Sequence, residues 1–79
     1  MIKVGQIRKP KKEYWKTTYD SELKIVISKI EEDDYCDIIY EDGGVCNSAP
    51  IVFVEDKTEL VAEYPTWQEA VNSKEFKGE

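Results

Sequence analysis

The stretch ELKIVISKIEEDDYCDIIYEDGGVCNS, residues 22–48, constrains the fold most. Leu23, Ile25 and Ile27 alternate with Lys24, Val26 and Ser28, which is the two-residue period of a strand. The β-branched density of Ile25, Val26, Ile27 and Ile30 favours that reading over a helix. EEDD at 31–34 is a polar turn, after which Cys36, Ile38 and Tyr40 alternate against Tyr35, Asp37 and Ile39. Asp42-Gly43 supplies the positive φ values of a tight hairpin turn, and VCNS returns from it. The segment therefore predicts an antiparallel meander of three strands.

The flanks extend the sheet. IKVGQIR at 2–8 reads as a first strand with a bulge or a close backbone approach at Gly5, and Pro10 ends its ladder. Residues 9–21 lack clean periodicity and read as a long connection with a short strand around Trp15. After Pro50, IVFV reads as a short buried strand, EDKT as a turn and ELVAEY as the last strand. In PTWQEAVNSKEF the period changes: Thr66 and Glu69 fit a capping box, and Trp67, Ala70 and Val71 share a helical face. A helix over about 66–73 is expected to lay Trp67 and Val71 over an open end of a small barrel, with a frayed tail at 77–79. The expectation is one mainly β domain, residues 1–79, of five or six antiparallel strands and one short C-terminal helix.

Seventy-nine residues cannot divide their core in two, so a single domain, a monomer or small homo-oligomer, is expected. The longest apolar run is IVFV, far short of a membrane span, and MIKVGQIRK lacks the apolar core of a signal peptide. A cytoplasmic protein is expected. Cys36 and Cys46 fit this: a two-residue turn at Asp42-Gly43 sets Cys36 opposite Ala49 and Cys46 opposite Ile39, on opposite faces. A loop from Asp42 to Gly44 restores one face but leaves the pair four residues out of register, so two free thiols are expected. With no histidine, neither a metal site nor a cofactor site is predicted. The same lack removes the commonest general base, and no nucleophile or phosphate-loop motif occurs, so no enzyme is expected.

Charge divides unevenly. Residues 1–24 carry seven Lys and Arg against three acids, whereas residues 25–79 carry four against fourteen. The basic stretch RKPKKEYWKTTY at 8–19 includes Lys9, Lys11, Lys12, Tyr14, Trp15 and Lys16. One reading makes it a nucleic-acid-binding segment, with lysines on phosphates and a ring stacked on a base. The other makes it a solvated loop anchored by Trp15, because the acidic remainder opposes a polyanion. The acids Glu31, Glu32, Asp33, Asp34, Asp37, Glu41 and Asp42 offer an anionic surface to a basic partner, or an inhibitor that competes with DNA for a DNA-binding enzyme; otherwise they are solvated turns. Nine aromatics exceed what so small a core needs, which makes Tyr35, Tyr40, Glu41 and Asp42 the candidate contacts to a protein partner.

The opening KVGQIRK, the middle IIYEDGG and the closing YPTWQEAVNSKEF resemble small uncharacterised proteins of phages and prophages of Gram-positive bacteria. The resemblance implies an SH3-like barrel and a non-enzymatic accessory protein made inside the infected cell, where it meets a host or phage protein. No catalytic residue transfers with it.

Overall fold

A computed structural model describes residues 1–11 and 23–77, which form β1 (Gln6–Pro10), β2 (Ile25–Glu31), β3 (Tyr35–Tyr40), β4 (Val45–Pro50), α1 (Ile51–Lys57), β5 (Thr58–Glu63), α2 (Trp67–Val71) and α3 (Lys74–Lys77). The five strands make one open sheet in the order β4-β3-β2-β1-β5, with every neighbouring pair antiparallel. The predicted meander is β2, β3 and β4, and the short strand expected around Trp15 lies outside the described residues.

The sheet is strongly curled. Pro50 pairs with Tyr35, and Tyr35 with Glu31, whereas Thr58 pairs with Pro10, which stands level with Leu23 across the Arg8–Ile25 pair. In a flat sheet Pro50 and Thr58 would be separated by about 26 Å along the strands and about 19 Å across them, roughly 32 Å in all. The α1 helix that joins them spans only about 12 Å. Three irregularities supply the bend by adding a residue to one strand: at Ser28 in β2, at Val61 in β5, and at Asn47–Ser48 in β4, where Ser48 has a φ of 61°. Asp37 faces two of them, its carboxylate accepting from the Ser48 amide at 2.9 Å and its carbonyl from the Ser28 hydroxyl at 3.2 Å.

Curling sets a buried apolar cluster on each face of the one sheet, so the core expected to be undivided lies on two sides of it. Ile2, Ile25, Ile27, Cys36, Ile38, Ala49 and Val54 fill the inner side beneath α1. Ile7, Val26, Ala70 and Phe76 fill the outer side. Val26, placed by alternation on the polar face of its strand, is thus fully buried, because α2 covers β2 and β1 there. The expected C-terminal helix exists, and Thr66 Oγ1 caps it by accepting from the Glu69 amide at 3.1 Å. It buries Ala70, with Trp67 and Val71 half-buried at the margin, on the sheet's outer face rather than over an open end. The tail expected to fray from 77 begins instead with Lys77 as the last residue of α3, whose Phe76 is buried and whose first turn takes a hydrogen bond at Ser73 Oγ from the Phe76 amide.

The run IVFV is helical, not a strand. Ile51, Val54 and Thr58 recur at helical spacing toward the inner core while Val52 and Phe53 face outward, and four apolar residues alone cannot distinguish these periods. EDKT accordingly completes α1 and opens β5 instead of forming a turn. Arg8, 6% exposed, ties β1 to Thr58, the C-cap of α1 and first residue of β5. Its Nε donates to Thr58 Oγ1 at 2.8 Å, its Nη2 to the Thr58 carbonyl at 3.1 Å and its Nη1 to Gln6 Oε1 at 3.2 Å. The cation sits at the carbonyl end of α1, where the helix dipole favours it.

The first strand starts later than predicted, because the chain turns at Val4–Gly5. Gly5, at φ 94°, is the predicted close approach. Its amide donates to the Ile27 carbonyl at 2.9 Å, its carbonyl accepts from the Tyr64 amide at 3.0 Å, and a Cβ here would collide with the Tyr64 carbonyl.

Candidate functional site

Among the described residues, the inner face of the curl is not completely filled. A pocket of about 260 Å³ opens between the sheet and α1. Ile25, Ile38, Tyr40 and Cys46 line it from the sheet, and Phe53 and Val54 from α1. Pro10 and Leu23 line it where the chain leaves and re-enters the described residues. Among the described lining residues, Lys57 is the one lysine, and no Arg, Asp or Glu joins it. Its Nζ lies 5.7 Å from the centroid of Phe53, a cation–π distance, and 3.8 Å from the Asp56 carboxylate.

Hairpin geometry sets Cys46 in the pocket lining and Cys36 in the core behind it. The β3–β4 loop runs from Glu41 to Gly43, with the Tyr40 amide donating to the Gly44 carbonyl at 2.7 Å and Gly43 at φ 94°. Cys46 therefore stands opposite Ile38, not Ile39, and the extra residue at Asn47–Ser48 returns Cys36 to Ala49 as expected. Both cysteines consequently face the inner core, and both are free. Burial, reinforced by the nearby Asp37 and Cys46, pushes the Cys36 thiol up to about 11. It is a protonated, apolar core group at neutral pH.

The four residues expected to contact a partner do not converge. Tyr40 lines the pocket, but Tyr35 is exposed at the other end of β3, on the opposite face and about 17 Å away at strand rise. Glu41 clasps the start of β2: its Oε1 accepts from the Lys24 amide at 3.1 Å, and its own amide donates to the Lys24 carbonyl at 2.9 Å. Asp42 Oδ1 accepts from the Gly44 amide at 2.9 Å and shapes the turn. The acids likewise divide between 31–34 and 41–42 at opposite ends of β3, with Asp37 between them inside the strand and engaged with the Ser48 amide.

Of the basic–aromatic candidates, Lys9 is exposed with its Nζ 3.8 Å from Glu59, and the Lys11 amide donates to the Lys57 carbonyl at 2.9 Å. Lys12, Tyr14, Trp15 and Lys16 lie outside the described residues. Among the described residues, no group of three His, Cys, Asp or Glu is placed to hold a metal ion, and no helix is long and apolar enough to cross a membrane. Sequence reasoning missed Phe53, Cys46 and Lys57 as lining residues. The available signal was the helical spacing of Ile51, Val54 and Thr58, which leaves Phe53 part exposed beside the buried Val54.

Comparison with protein-family models, curated proteins and solved structures finds no match to this chain.

Proposed function

We propose that this chain is an SH3-like barrel acting as a non-enzymatic binding domain, an accessory protein of a phage or mobile element that engages a host or phage protein. The strand order, the long connection between β1 and β2, and the short helix leading from β4 into β5 support the barrel reading. One observation carries the binding reading: among the described residues, Tyr40 and Phe53 help line an apolar pocket of about 260 Å³, the concave and mostly apolar kind of surface that binding sites use. Of the four predicted contacts only Tyr40 lines this pocket; Glu41 and Asp42 follow it in the adjoining turn, and Tyr35 takes no part.

A photo-crosslinking phenylalanine analogue at position 53 tests this in lysate of a Gram-positive bacterium. A discrete protein adduct that disappears when Cys46→Trp fills the pocket is the expected result. No adduct, or an adduct indifferent to Cys46→Trp, overturns the pocket as the contact. Fluorescence anisotropy with labelled oligonucleotides at low and physiological salt tests the nucleic-acid alternative. Binding that fades with salt and is lost when Lys11, Lys12 and Lys16 become Glu would replace the protein-partner reading.

A further inference from the structure

We draw no further inference here: the strongest candidate, the apolar pocket between the curled sheet and α1, belongs to the site already described, and with Lys57 beside Asp56 at its edge and acidic Glu41 and Asp42 next to Tyr40, nothing in the structure shows what covers it.

Discussion

Replacing Gly5 and Gly43 by alanine, one at a time, separates two costs that usually arrive together. Both glycines have a φ of 94°, so each substitution forces an L-residue into the left-handed region at about 1–2 kcal/mol. At Gly43 nothing lies within 4 Å of the added Cβ, and that strain is the whole cost. At Gly5 the Cβ meets the Tyr64 carbonyl, so the backbone must shift. The shift weakens two hydrogen bonds, from the Gly5 amide to Ile27 and from the Tyr64 amide to Gly5, each contributing about 1 kcal/mol. Strain and weakened bonds together come to about 3–4 kcal/mol. The total stability of a chain this short is only about 4–12 kcal/mol. Thermal unfolding followed by circular dichroism should therefore show Gly43→Ala lowering Tm by about 4–16 °C and Gly5→Ala by about 12–32 °C. Equal losses for the two variants would refute the reasoning, because φ is shared and only the steric surroundings differ.

Other outcomes follow from the same geometry. Arg8→Lys should cost about 2 kcal/mol in urea unfolding, because an ammonium cannot reproduce the forked contacts to Thr58 and Gln6. Arg8→Met, which leaves no buried charge, should cost no more than Arg8→Lys; a lysine tolerated within about 0.5 kcal/mol would contradict this. Because the folded Cys36 pKa is raised from 9.0 to about 11, its stabilisation is complete below pH 9 and lost as pH rises toward 11. Unfolding free energy should fall across that window, and Cys36→Ala should flatten the fall. At pH 8 a thiol reagent should modify Cys46 before Cys36, with both reacting rapidly only in denaturant. Asp33→Gly should raise the urea midpoint by the equivalent of about 0.5–1 kcal/mol, since Asp33 holds φ 62° in a hairpin tip of four consecutive acids.

Features controlled by near neighbours along the chain are legible in the amino-acid sequence itself. The alternation of β2 and β3 is visible in Ile25, Ile27, Cys36 and Ile38, and it sets Tyr35 and Tyr40 on opposite faces of β3. Gly5 stands out as a close approach, and Thr66 with Glu69 as a helix start, because backbone conformation and capping are local chemistry. The candidate site is legible only in Tyr40.

The tertiary structure decided the rest. IVFV became helical because Pro50 and Thr58 must be joined across a curled sheet, and a helix spanning about 12 Å does this while burying Val54. The register that turned both cysteines inward came from a loop one residue away from the expected turn, and from an irregularity at Asn47–Ser48 that no pattern of apolar residues marks. The outer core under α2 and α3 made Val26 a buried residue on what alternation presents as the polar side of β2. Alternation and capping act over a few residues and can be read along the chain. Curl, register and the pocket between Tyr40 and Phe53 depend on strands far apart in sequence meeting, and only the folded chain brings them together.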